Sequence, residues 1–313
     1  MSDVRPVFGT AQLDGLADDQ RSSALLAEAW EAGFRAFDTA PSYGGGRAEA
    51  RLGAFLAGRS EPVLVSTKVG LAPALGSRPG GKKLVSVARR LLPAPVTRAL
   101  KARSQSSMRG RFDPDAVQSS VEESLRLLGG RVDRLLLHEV RAEEITDELL
   151  ARLDLLRSRG DVGAIGVATQ NDLTGPAARR GGELVTVAHL AVGVLEDPVP
   201  LPAHVTTRVG HGLLGGGGSH LRALEAVLAS DAAARGEWET AVAGTGFAGP
   251  GGLPAALVAT GRARGVTDVL VATTRVERVA ANLAAVRADP PPPEVATAVA
   301  SLAARARSVA APD

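Results

Sequence analysis

Three stretches of this chain place proton-transfer chemistry at the ends of apolar runs. Arg35-Ala36-Phe37-Asp38-Thr39-Ala40-Pro41-Ser42-Tyr43-Gly44 closes a strand-like run with a carboxylate, turns at a proline, and then presents the only tyrosine in 313 residues. Ser66-Thr67-Lys68 ends a second run and Leu136-Leu137-His138 a third. Each residue has an ordinary explanation when taken alone: Asp38 as a turn or capping residue, Tyr43 as loop packing, His138 as a structural histidine. Lys68 is harder to dismiss, because burying an ammonium is costly unless a carboxylate such as Asp38 answers it. Together the four residues make a phenol, an ammonium, a carboxylate and an imidazole that could move a proton to or from a reacting oxygen.

What must position them is a series of short β-branched runs alternating with longer Ala/Leu-rich segments of helical period. Strands are expected at Val7 to Ala11, Ala36 to Ala40, Val63 to Lys68, Asp133 to His138, Ala164 to Ala168, Leu184 to His189, Val205 to Val209 and Asp268 to Thr273. Eight strand–helix units predict an α/β fold, a single (β/α)8 TIM barrel over residues 1–313. Asp18-Asp19 and Asp113-Pro114 carry helix-start signals, and Pro290 to Pro293 stops the chain before a last amphipathic stretch. Two connections, Gly70 to Phe112 after strand 3 and Leu213 to Gly252 after strand 7, are long loops at the barrel end where active sites are built.

Composition removes other classes of function. With 45% hydrophobic and 22% charged residues the chain can bury a large core, and without cysteine it offers no thiolate nucleophile, disulfide or zinc–thiolate site; no metal is expected. No apolar stretch reaches the roughly 18 residues of a membrane span, and Met1 to Thr10 does not read as a signal peptide, so a cytoplasmic protein without a membrane partner is expected. The isoelectric point of about 9.4 reflects the scarcity of groups titrating above neutrality, since the net charge is only +2, and does not signal nucleic-acid binding. Ten basic residues and no acidic one lie between Val69 and Phe112, which reads as a solvated loop or as an anion-attracting lid.

In order and spacing, DTAPSYG, STK and LLLHE resemble the aldo-keto reductase superfamily, with the aldose-dehydrogenase-like members most similar. GGGRAEARL, VEESLRLLGGRVDRLLLH, AIGV and RVERVAANLAAV extend the resemblance over almost the whole chain. It implies a barrel that binds NADPH, or NAD, across its rim and acts on a small-molecule carbonyl or alcohol. Tyr43 would be general acid and base, Lys68 would lower its pKa, Asp38 would hold Lys68, and His138 would orient the substrate oxygen.

The same resemblance assigns cofactor contacts to Gly9, Thr10, Ala168, Thr169, Thr273, Thr274, Arg275, Arg278 and Asn282. Arg275 and Arg278 favour NADP, although Ala272 stands where many members have lysine. Ala168-Thr169 replaces a common Ser-Asn, and Thr206 occupies the position expected for a ring-stacking aromatic. His189 is a polar contact or a packed strand histidine, and Trp238 lines a pocket or packs in the core. A Schiff-base aldolase or lyase using Lys68 and a non-catalytic cofactor-binding accessory protein are the alternative readings.

Overall fold

The computed structural model describes residues 4–15, 19–71 and 112–310. The basic run from Arg78 to Arg111 lies outside the described residues. Eight parallel strands close into a barrel in sequence order: β1 (Arg5–Gly9), β2 (Ala36–Asp38), β3 (Leu64–Val69), β4 (Arg134–His138), β5 (Ala164–Ala168), β6 (Val185–Ala191), β7 (Thr207–His211) and β8 (Asp268–Val271). Helices α1 (Asp19–Ala32), α2 (Ala48–Leu56), α3 (Pro114–Leu127), α4 (Asp147–Ser158) and α5 (Asn171–Gly181) surround it, followed by α6 (Ser219–Ser230), α7 (Ala232–Val242), α8 (Gly252–Arg262), α9 (Val279–Arg287) and α10 (Pro293–Ala310). No described helix is long and apolar enough to cross a membrane.

Local chemistry explains the helix boundaries. Asp113 accepts from the Ala116 N–H while Pro114 takes the first turn of α3, and Thr146 caps α4 through the Leu149 N–H. Asp231 likewise starts α7, accepting from the Ala234 N–H. The 213–252 segment, expected as a long loop, contains α6 and α7. The consecutive glycines from Gly215 end at Gly218, and the following sequence buries His220, Leu224 and Val227 on one helical face. Arg305 of α10 ties the pair down through Asp231 at 2.8 Å and Glu237 at 2.6 Å.

The strands are buried on both sides, as parallel barrel strands must be. Their outer faces join the helices in the main core, where Phe8, Phe34 and Phe37 pack edge to face and Trp30 stacks on Phe37. A second core under α6, α7, α8 and α10 takes up Leu224, Leu257, Val299 and Leu302, and Trp238 packs there. The bore holds a small apolar layer of Leu136, Ala168, Val187 and Val209, with Leu270 against it. Space in it is tight: a Cβ at Gly166 would meet both Leu136 Cδ2 and the Val187 carbonyl at 2.5 Å.

At the N-terminal end of the strands Arg134 of β4 binds Asp268 of β8 at 2.5 Å, with Arg5 3.6 Å from the same carboxylate oxygen. Strands 4 and 8 stand opposite one another in an eight-strand ring, so this buried ion pair spans the bore. Truncating Asp268 to alanine leaves the Arg134 guanidinium buried without its partner. Asp268→Ala should therefore lose about 3–5 kcal/mol of stability, measured as a lower urea midpoint at neutral pH.

Candidate active site

The C-terminal ends of β2, β3 and β4 bring the proposed proton-transfer residues together. Asp38 ends β2 beside Ser66 of β3, so Lys68, two residues further along, has to reach back toward it. Its Nζ donates to Asp38 Oδ1 at 2.6 Å and to the Thr39 carbonyl at 2.9 Å, with both charged side chains about 97% buried. The neighbouring Thr67 points the other way and donates to buried Glu49 of α2 at 2.6 Å, which fixes the rotation of β3 that turns Lys68 inward.

Tyr43 enters from the β2–α2 connection on a short helical turn. Its carbonyl accepts from the Gly46 N–H, and Gly44, Gly45 and Gly46 all have positive φ, between 58° and 81°. Only glycine takes up three such conformations in a row without strain, which accounts for the Gly-Gly-Gly after the tyrosine. The Lys68 ammonium lies 4.5 Å from the phenol ring centre, and the His138 ring meets the phenol edge to face at 5.9 Å. The four residues therefore form one contact chain.

Burial dominates their protonation. It pushes the Tyr43 phenol up, and the Lys68 charge and hydrogen bond pull it back without overcoming burial, so the phenol keeps its proton above the ordinary value of 10.0. The expected lowering by Lys68 is present, but it is the smaller effect. For Lys68 burial pulls down, yet the Asp38 charge together with Tyr43 outweighs it and the ammonium persists. Burial, followed by the Lys68 charge, pushes His138 down to about 3 and His211 to about 4. Both imidazoles are neutral at physiological pH.

A cleft of about 1050 Å³ opens over these residues. Tyr43, Lys68, His138 and His189 line its inner end; Ala168 and Thr169 border it; Thr273, Thr274, Arg275, Arg278 and Asn282 line its far end after β8. Gly9 and Thr10 stand behind this surface. The Thr10 hydroxyl donates to the Asp38 carbonyl at 3.0 Å, and a Cβ at Gly9 would be crowded, 3.2 Å from Leu270 Cδ1 and 3.3 Å from Ala272 Cβ. Thr206 precedes β7 and is not at its rim end; the strand begins two residues later than expected, and His211 is what it presents to the cleft. Sequence reasoning placed the 213–252 connection at the site without naming its lining, Arg222 and the Gly212 to Gly218 loop, and it missed Gln12, Glu139, Gln170 and Asn171. Of these the glycine run carried a signal: Gly215, Gly217 and Gly218 have positive φ where the chain bends around the cleft. Glu139, next to His138, is the one described non-glycine residue with positive φ, at 57°.

Residues 7–173, more than half of the chain, match the profile of the aldo/keto reductase family. The chain belongs to that family. Among curated relatives it is 32% identical over 172 residues to a D-threo-aldose 1-dehydrogenase of Pseudomonas, covering 52% of this chain and 49% of that one. It is 34% identical over 141 residues to a pyridoxal 4-dehydrogenase of Microbacterium luteolum, covering 42% and 39%. The matched segments thus span half or less of those relatives. The same barrel recurs in the glycerol dehydrogenase of Gluconobacter oxydans, with a TM-score of 0.70 and 21% identity over 99% of this chain and 93% of that one. An aldo-keto reductase of Bacillus halodurans gives a TM-score of 0.67 and 19% identity over 96% and 91%.

The depressed imidazoles tie stability to pH. His138 and His211 stay neutral in the folded protein but take up protons near 6.5 when unfolded, so the unfolded state binds more protons between 6.5 and about 3 or 4. Stability is full above 6.5 and falls as pH drops below it, by at most about 1.4 kcal/mol per pH unit for each ring. Urea denaturation from neutral pH down to about 5 should show His138→Gln and His211→Gln losing less stability on acidification than the unsubstituted protein.

Proposed function

We propose that this chain is a nicotinamide-dependent oxidoreductase that interconverts a carbonyl and an alcohol on a small hydroxylated substrate, with Tyr43 as proton donor and acceptor. The observation that carries this reading is the buried chain Asp38–Lys68–Tyr43–His138 opening onto one cleft. The cleft suits an extended dinucleotide. Arg275 and Arg278 offer cations at one end, where Thr273 Oγ1 also accepts from the Arg275 N–H and shapes the turn into α9. Ala168 and Thr169 would border the nicotinamide, and the two arginines favour NADP over NAD. When bound, the nicotinamide supplies or accepts the hydride.

The chain's own groups handle the proton. In reduction, negative charge grows on the carbonyl oxygen, and the Tyr43 O–H gives its proton to that oxygen while the neutral His138 imidazole donates a hydrogen bond to it. The Lys68 ammonium then stabilises the phenolate left behind, and Asp38 keeps the ammonium in place. In oxidation the phenolate takes the proton from the alcohol. A phenol held protonated at neutral pH favours the reductive role there.

Polar lining by Gln12, Gln170, Asn171 and Glu196 suits a hydroxylated substrate. The names of the two curated relatives, an aldose 1-dehydrogenase and a pyridoxal 4-dehydrogenase, point the same way. Imine chemistry on Lys68 would need a free amine, whereas Asp38 and Tyr43 hold this lysine charged. A cysteine-free chain is at home in the reducing cytoplasm, where we expect this activity.

Turnover of NADPH with aldehydes, ketones and lactols should fall at least about 10³-fold in Tyr43→Phe, with NADPH binding retained by fluorescence titration; full activity in that variant would refute the assignment. Replacing Arg275 and Arg278 together by alanine should weaken NADPH by about tenfold or more while changing NADH little, and equal effects on both would remove the arginines from the phosphate site.

A further inference from the structure

Beneath the cleft, Asp38 and His189 face each other, and each leaves a polar atom without a hydrogen bond among the described residues. Asp38 spends Oδ1 on Lys68, but Oδ2 is buried with no donor. His189 of β6 is 97% buried, and its Nε2 also has no partner. The two atoms are 3.8 Å apart. That is too long for a hydrogen bond, yet closing it by about 1 Å would satisfy both at once.

The surroundings decide which way such a bond would run. His189 feels Lys68 from β3, Arg134 and His138 from β4, His211 from β7 and the Asp38 carboxylate from β2. Burial first and Lys68 next hold the ring well below its ordinary pKa, so the imidazole is neutral and carries one proton. If that proton were on Nδ1, the Nε2 lone pair would confront a carboxylate oxygen, lone pair against lone pair. With the proton on Nε2, an N–H dipole points at Oδ2.

We propose that His189 is a positioning residue: its Nε2–H steadies Oδ2 of Asp38, so that Oδ1 holds Lys68 where its charge acts on Tyr43. This rests on the reading in which Tyr43 exchanges the proton. Without the N–H, carboxylate charge is less balanced and draws the ammonium more strongly, and less of the ammonium's field reaches the phenol. The Tyr43 midpoint then moves upward.

Two solution measurements on the full chain test this without cofactor or substrate. Histidine ¹⁵N spectra, with His189 assigned by its loss in His189→Gln, should show the Nε2–H tautomer at this ring, and Asp38→Asn should shift its signal. Tyrosine ¹³Cζ labelling gives one resonance, because the chain has one tyrosine. Its midpoint should rise by about half a pH unit or more in His189→Leu and return toward the starting value in His189→Gln, whose amide can donate to the same oxygen. An Nδ1–H tautomer overturns the proposal, as does a Tyr43 titration in His189→Leu that superimposes on the unsubstituted protein. Equal shifts in the leucine and glutamine variants also overturn it, since they would mark loss of ring packing alone. Any of these results leaves the Tyr43→Phe turnover assay to judge hydride transfer separately.

Discussion

The buried contact between Asp38 and Lys68 is the constraint around which the rest of the site is arranged. An isolated ammonium at this depth would lose its proton, and an isolated carboxylate would gain one. Held 2.6 Å apart each favours the other's charge, enough to outweigh burial at Lys68, while at Asp38 burial still holds the carboxyl above its ordinary value; the stagger between β2 and β3 makes the distance reachable because the lysine side chain runs back down the barrel axis. The Thr39 carbonyl and the outward anchor from Thr67 to Glu49 complete the restraint. The closed, tilted barrel gives neighbouring strand ends this offset and at the same time seals both side chains from water.

The two ends of the bore use the same kind of interaction for different purposes. At the N-terminal end Arg134 and Asp268 join opposite strands. At the C-terminal end Asp38 and Lys68 join adjacent strands, and the lysine remains in contact with a phenol facing a cleft. A thin apolar layer, Leu136, Val187, Val209 and Leu270, separates them. The first pair closes the barrel; the second exposes one of its charges to chemistry. Barrels generally divide stability and function between their ends in this manner.

Much of this was legible in the residues because parallel strands end where chemistry begins. Asp38, Lys68 and His138 each close an apolar run, so a reading that finds the runs also finds the rim, and β5 agrees with its expected bounds residue for residue. Strand 7 was misplaced for a physical reason. VTTRV and TRVGH are equally strand-like, they share Thr207, Arg208 and Val209, and neither shows the apolar–polar alternation that would fix its limits. The error hid His211 behind Thr206. Helices α6 and α7 were concealed by the glycines before them. Gln12 and Asn171 could not be read at all: Asn171 pairs with both backbone groups of Ala191, twenty residues away, and that contact exists only once β6 and α5 have packed.

The crowd of imidazoles around one ammonium has its own logic. His138, His189 and His211 are all held below the ordinary histidine value, by burial first and by Lys68 next. Burial therefore sets the protonation of three rings, and one fixed positive charge reinforces it. Neutral rings still offer N–H donors to an oxygen, which is what a developing alkoxide needs. In the proposed reaction they would do so without adding cations that repel a positively charged oxidised nicotinamide or compete with Lys68 for a Tyr43 phenolate. A site with the same four proton-transfer residues but a charged histidine nearby would bind the oxyanion more tightly and return the proton less readily, because a stabilised phenolate is a weaker base. In the proposed mechanism, keeping the charge on lysine alone leaves the phenol free to act in both directions.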